Sequence, residues 1–369
     1  MSVPVARSPA LVHDYLLVMR GAERTFAAMA DCFPGAPLYT LLYDPRATGN
    51  RFGDRPVHVS RLQRMGVRQR GFRKLLPLFP LAIERLPLRD KDLVVSSSSA
   101  FAHGVRVNPD ATHVCYCHTP FRYAWHERKR ALAEVARPLR PLLRAALARQ
   151  RAWDRAAAAR VTRYIANSQI ARERIQRYWG RDAVVIHPPV EVDRFRVGEP
   201  EDFLLVVGEL VAHKRVENAL EAARRTHQPI VVVGTGPDFD RLRGRYASTA
   251  TFLGRVTDDR LADLYSRARA VVIPGVEEFG IVAVEAQAAG RPVVAARAGG
   301  AMETVIPGRT GVLVPPDDAG ALAEAIRELD LDRFSPEDVR EQARRFSVDA
   351  FKERLMAELA RAQSDQGSA

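Results

Sequence analysis

Apolar positions in this chain fall into short continuous runs, and the segments between them repeat with a helical period. Residues 10–12, 38–43, 57–59, 92–99, 112–118 and 164–168 read as strands of the first half, the last of them closing it. Most are apolar throughout, as parallel strands covered on both faces are. Helical spacing predicts helices over 25–32, 131–159 and 171–179, the second broken by Pro138 and Pro141, with residues 19–24 as a loop entering the first. The second half alternates more regularly, with strands over 203–207, 230–233, 251–253, 270–273, 292–295 and 311–313 and helical segments between them. This alternation predicts an α/β chain of two doubly wound parallel sheets. Pro188 and Pro189 end the run 184–187 and predict an extended hinge there.

Composition narrows the class. At 369 residues, 47% hydrophobic and 27% charged, the chain is globular and long enough for two domains. No apolar run reaches the roughly 18 residues that span a bilayer. The run 11–19 is interrupted by His13 and Asp14, so neither a signal peptide nor an anchor is expected and a cytoplasmic location is. Cys32, Cys115 and Cys117 make no disulfide framework.

Charge divides the halves. Residues 1–190 carry 32 Lys and Arg against 14 Asp and Glu, whereas residues 191–369 carry 24 against 30. A basic half predicts an anionic partner, either a membrane surface or a nucleic acid, although an arginine- and alanine-rich composition also produces solvated basic helices. Within it, Arg61, Arg64, Arg68, Arg70, Arg73 and Lys74 interleave with apolar residues up to the run Pro77-Leu78-Phe79-Pro80-Leu81. Such a segment fits an anionic interface or an amphipathic core helix equally. No nucleic-acid recognition motif accompanies the charge.

The most informative stretch is Pro274-Gly275-Val276-Glu277-Glu278-Phe279-Gly280-Ile281, which follows the strand 270–273 and opens a helix over 281–289. A strand-to-helix turn presents the N–H groups of Phe279, Gly280 and Ile281 at the carboxyl end of a parallel sheet, where α/β folds bind ligands. Glu277 and Glu285 stand about two helical turns apart. Two carboxylates and a fan of donors suit a polyhydroxylated ligand. Lys214, after the strand 203–207, is placed for a diphosphate, with Arg215 beside it. His113, Cys115, Cys117 and His118 include soft metal ligands, but one short strand cannot wrap them around an ion, and no metal site is expected. Asn167 and Ser168 suit a helix cap. Val233-Gly234-Thr235-Gly236-Pro237 lacks the third glycine of a dinucleotide fingerprint.

The Glu-x7-Glu arrangement with its embedded Glu-Phe-Gly resembles the donor site of retaining glycosyltransferases of family 4, and His118-Thr119-Pro120 followed by Arg122-Tyr123-Ala124-Trp125 resembles their bacterial mannosyltransferase-like members. The resemblance implies a GT-B fold, two Rossmann-like doubly wound domains with an interdomain cleft. Its expected domains are 1–186 for the acceptor and 187–345 for the sugar-nucleotide donor, with a helix within 346–369 crossing back. It implies that Glu277 and the N–H groups of Phe279, Gly280 and Ile281 hold the transferred sugar, that Glu285 grips the ribose, and that Lys214, with Arg215, stabilises the diphosphate. It further implies that Gly21 approaches the donor phosphate or the acceptor, that Arg255 and Val256 read the nucleobase, and that His118 lies near the reacting carbon. Catalysis is thus expected to rest on His118, Lys214 and Glu277, with no metal or cofactor; Asp90-Lys91-Asp92 precedes a strand and reads as a charged loop. The implied donor is GDP-mannose, and the implied partners are a glycan or lipid-linked glycan acceptor and an anionic membrane surface. Two departures stand out: Ala22 replaces the second of a usual glycine pair, and Glu209 stands where the family places arginine. They support a rival reading as a catalytically inactive sugar-nucleotide-binding scaffold; a GT-B sugar-nucleotide epimerase is another.

Overall fold

The computed structural model describes residues 8–66 and 71–367. The chain divides into two compact units, Met1–His187 with Lys352–Ala369, and Pro188–Phe351. Each is built on one all-parallel sheet.

The first sheet comprises β1 (Pro9–His13), β2 (Leu38–Thr40), β3 (Val57–Val59), β4 (Leu93–Ser98), β5 (Thr112–Cys117), β6 (Arg163–Ala166) and β7 (Ala183–Val185). Their order is β3-β2-β1-β4-β5-β6-β7, so the direction of winding reverses between β1 and β4. β6 does not close the sheet as its sequence suggests. β7 pairs beyond it, and its short, partly exposed residues suit an edge. The helix expected from residue 25 begins at Gly21, because the Glu23 carboxylate accepts the Arg20 N–H at 3.0 Å and caps the first turn.

Residues 61–87 do not form one amphipathic helix. Two 3-10 turns, Arg61–Met65 and Phe72–Leu78, precede a short helix, Phe79–Glu84, with Pro77 and Pro80 limiting its extension. Leu75, Phe79 and Ile83 enter the core, whereas Met65, Leu78 and Leu81 are exposed. Arg68 and Arg70 lie outside the described residues. Pro138 and Pro141 sit in first turns, where a missing N–H costs nothing, so the segment resolves into the helix Arg128–Ala133, the turn Arg137–Leu139 and the helix Arg140–Ala158. Ser168 caps the helix Gln169–Trp179 through the Ala171 N–H, while Asn167 Oδ1 accepts the Ser168 hydroxyl. The helix Val348–Gly367 ties onto the first sheet. Arg163 pairs with Glu358 at 2.6 Å and with Asp365, and Thr112 donates to Gln366 at 2.6 Å.

All three tryptophans donate to carboxylates in this unit. Trp125 and Trp179 reach Asp154 Oδ2 at 2.5 and 2.9 Å, and Trp153 reaches Glu84. Asp154 is fully buried, and His103 Nε2 stands 3.2 Å from its other oxygen.

The second sheet comprises β8 (Leu204–Val207), β9 (Ile230–Val233), β10 (Ala250–Gly254), β11 (Ala270–Ile273), β12 (Val293–Ala296) and β13 (Gly311–Val314). The order β10-β9-β8-β11-β12-β13 reverses between β8 and β11. Apolar side chains of both faces pack under flanking helices in two clusters, one around Val271, Ala283 and Val293, the other around Val206, Leu220 and Val272.

Removing a buried carboxylate that serves two indoles strands both donors. Asp154→Ala should lower the free energy of unfolding by roughly 3 kcal/mol, read as an earlier urea midpoint in near-ultraviolet circular dichroism.

Candidate functional site

In a doubly wound sheet, the loops that leave two adjacent strands in opposite directions open a crevice at their carboxyl ends. In the second unit those strands are β8 and β11. The loop after β8 carries Lys214 and the loop after β11 carries Glu277, and the Lys214 ammonium pairs with Glu277 Oε1. Both side chains are about a quarter exposed, so the pair lies at the surface of the crevice.

Glycines let these loops meet. A Cβ at Gly275 would stand 2.6 Å from the Lys214 carbonyl oxygen, so the β8 loop packs backbone to backbone against the end of β11. On the other side, the segment Ala298–Gly300 closes on the Glu277–Phe279 backbone. The Gly300 N–H donates to Glu277 O at 2.8 Å, and a Cβ at Gly300 would stand 1.9 Å from Phe279 O. The Phe279 ring is buried, 5.6 Å from Phe346. Gly280 adopts a left-handed conformation, φ 83°, and turns the chain into the helix Ile281–Ala288.

Glu285 lies on that helix, and its Oε2 accepts a 2.8 Å hydrogen bond from the Tyr265 hydroxyl. Tyr265 is fully buried. Burial first, and the Glu285 charge second, push its phenol well above the ordinary range, so it stays a donor. Tyr265 was not legible as a site residue: beside Leu261 and Leu264 on an amphipathic helix, a tyrosine at a core position reads as packing alone.

The other predicted residues are more dispersed. Arg215, at φ 51°, pairs with Asp317 at 2.6 Å and not with Glu277. Glu209 is exposed. Arg255 and Val256 follow β10, two strands away from β8 at the sheet edge; Arg255 is exposed and Val256 packs partly on the core. Gly234 and Gly236 bring the β9 loop against the backbone of Gly208 and Leu210, which gives this glycine pair a packing role.

In the first unit, Gly21 and His118 flank the reversal between β1 and β4. Gly21 is the first residue of its helix. His118 follows β5, nearly buried, with Nε2 2.9 Å from Ser97 Oγ, and burial lowers its pKa to about 3. The serines ending β4 serve polar groups of neighbouring elements. Ser96 bonds His113 at 2.8 Å, Ser97 bonds His13 as well as His118, and Ser98 bonds His103. The Ser99 N–H reaches the buried carboxylate of Asp14, which also accepts from Phe101 and Ala102. Cys115 and Cys117 are buried in an apolar cluster, and burial pushes the Cys115 thiol far up. Among the described residues no three of His, Cys, Asp and Glu are grouped to hold a metal ion.

Residues 190–346 match the family model of glycosyl transferases group 1, and residues 19–194 match that of glycosyltransferase family 4. The chain is 37% identical over 203 residues to D-inositol 3-phosphate glycosyltransferase 2 of Catenulispora acidiphila, covering 45% of this chain and 47% of that protein. It is 39% identical over 152 residues to a glycogen synthase of Mycobacterium tuberculosis, covering 38% and 36%. The chain thus spans less than half the length of these relatives. Sucrose-phosphate synthase from Thermosynechococcus elongatus matches with a TM-score of 0.71 at 20% identity, over 96% of this chain and 98% of that one. Anabaena HepE in complex with UDP-glucose matches with a TM-score of 0.67 at 19% identity, over 95% and 98%. The fold is therefore GT-B, with the first unit similar to glycosyltransferase family 4 and the second to glycosyl transferases group 1.

A methyl group at residue 300 has to displace the Phe279 carbonyl. Gly300→Ala should destabilise the protein by about 2 kcal/mol, measured as a lowered thermal midpoint.

Proposed function

We propose that the protein is a retaining, metal-independent hexosyltransferase that moves a hexose from a nucleoside diphosphate donor to a glycan or lipid-linked glycan. The observation that carries this reading is the Lys214–Glu277 pair at the strand-order reversal, one helical segment from a Glu285 held by Tyr265. A cation and two carboxylates at one crevice match the charge sequence of such a donor: a diphosphate between two sets of hydroxyls. Lys214 and nearby N–H groups stabilise the leaving diphosphate, whose developing charge is the main electrostatic demand of the reaction. Glu277 and the N–H groups of Phe279, Gly280 and Ile281 receive the sugar, and Glu285 receives the ribose. The departing phosphate takes the proton of the acceptor hydroxyl. Both glutamates bind, so neither acts as a covalent nucleophile. His118 serves the transferred sugar.

GDP-mannose is the donor implied by the resemblance around His118 and Lys214. UDP-glucose is its rival, because a solved structure of the same fold holds that donor. Glu209, together with the engagement of Arg215 by Asp317, favours a second reading as an inactive sugar-nucleotide-binding scaffold. The basic half, with exposed Leu78, Leu81, Leu139 and Leu142, supports peripheral binding at an anionic, cytoplasmic membrane face. Among the described residues no helix is long and apolar enough to cross a membrane.

Calorimetry with GDP-mannose, UDP-glucose and UDP-N-acetylglucosamine should show one donor bound selectively, and Glu285→Ala should weaken it at least about tenfold. Binding without turnover would favour the scaffold; no binding to any donor would refute both readings. Wild-type protein should pellet with anionic vesicles at low salt and be released by salt, as an electrostatic surface contact requires. Its remaining in the supernatant would refute membrane association.

A further inference from the structure

A buried hydroxyl in the second unit has no part of its own in the proposed reaction. Tyr265 lies on the helix Asp258–Arg267, which packs on the helix Ile281–Ala288 that carries Glu285. Its side chain is fully buried in the core with Phe195, Leu264, Ala268 and Val284. Phe195 meets the phenol ring edge-on, with centroids 5.4 Å apart and planes at 87°, and the Arg194 guanidinium lies over the Phe195 ring at 4.9 Å. Arg194 in turn pairs at 3.0 Å with Asp258, the first residue of the tyrosine's own helix. The phenol is thus held from several sides.

For packing alone, phenylalanine would serve at position 265. It fills nearly the same volume, whereas a hydroxyl taken into the core is unfavourable unless it is bonded. The Tyr265 hydroxyl donates to Glu285 Oε2 at 2.8 Å. Burial, and then the Glu285 charge, keep the phenol protonated and so a donor. Its acceptor is only partly buried. A glutamate on a wet helix face samples several rotamers, and ordering it when a ligand binds loses conformational entropy. Here a bond from a fixed core group orders it beforehand. A carboxylate accepts at about four lone-pair positions, so one phenol does not exhaust it.

We propose that Tyr265 is a positioning residue for ribose recognition: its hydroxyl holds the Glu285 carboxylate in the orientation that receives the vicinal 2′- and 3′-hydroxyls, and so sets how strongly a ribonucleotide is preferred over its dideoxy counterpart. This rests on Glu285 as the ribose contact of a nucleoside diphosphate site. Tyr265 acts through Glu285, without touching the ligand.

Calorimetry with GDP, UDP and the 2′,3′-dideoxy form of each tests this on wild type, Tyr265→Phe, Glu285→Ala and the double variant. Whichever ribonucleotide binds should bind wild type at least about tenfold more tightly than its dideoxy form, as charge-assisted hydrogen bonds to the diol require. Tyr265→Phe should lower that preference about threefold or more, and should change it no further once Glu285→Ala is present. Each preference is a ratio measured on one preparation, so any loss of folded protein cancels. A tyrosine that only packs would affect both ligands equally; a wild-type ratio in Tyr265→Phe would therefore overturn the inference and leave the donor site standing. A wild type without preference would overturn it too, by removing Glu285 from the ribose. Failure of both ribonucleotides to bind would refute the donor site itself, and the inference with it.

Discussion

Backbone has to approach backbone at the carboxyl end of the second sheet, and the candidate site depends on that approach. Lys214 reaches Glu277 because Gly275 admits the Lys214 main chain, and Glu277 holds its place because Gly300 admits the Phe279 carbonyl. A β-carbon at Gly275 would stand 2.6 Å from the Lys214 carbonyl oxygen and one at Gly300 1.9 Å from that of Phe279, so either would force the loops apart. Phe279, sunk against Phe346, anchors the same loop from below, so its polar residues project from a fixed frame.

The first sheet solves a different problem. Its centre is buried, yet it holds His13, Asp14, Glu23, His103, His113 and His118. Buried polar groups are tolerated when each finds a partner, and the serine run of β4 supplies partners on both faces because successive side chains alternate. Asp14 takes the N–H groups of the turn after the same strand. Burial keeps His118 and His113 neutral, each with a pKa of about 3, so neither adds to the unit's positive charge. That charge lies outside. Many arginines are engaged by surface carboxylates, such as Arg51 with Asp31, and such exposed pairs add little stability.

The two glutamates of the site illustrate how context assigns roles to identical side chains. Glu277, on a loop, faces a lysine and stays partly wet, whereas Glu285, on a helix, is oriented by a buried phenol. One arrangement is open to exchange with an anionic ligand; the other is fixed before a ligand arrives.

Local sequence alone determined the α/β class, most strand positions, the Glu277–Glu285 turn and the Ser168 cap, because each is written in neighbouring residues, the first two in hydrophobic period and the others in residue type. Tertiary structure decided what period cannot encode. β7 became an edge strand by pairing with β6, whereas the early start of the helix at Gly21 came from a local contact, the Glu23 carboxylate on the Arg20 N–H. Residues 61–87 broke into turns at their prolines, and Arg215 turned to Asp317, a residue about a hundred positions away. Only the fold set Tyr265 beside Glu285 and Ser97 between His13 and His118. Such contacts depend on the order in which strands pair, and parallel pairing joins residues whose separation leaves no local trace in sequence.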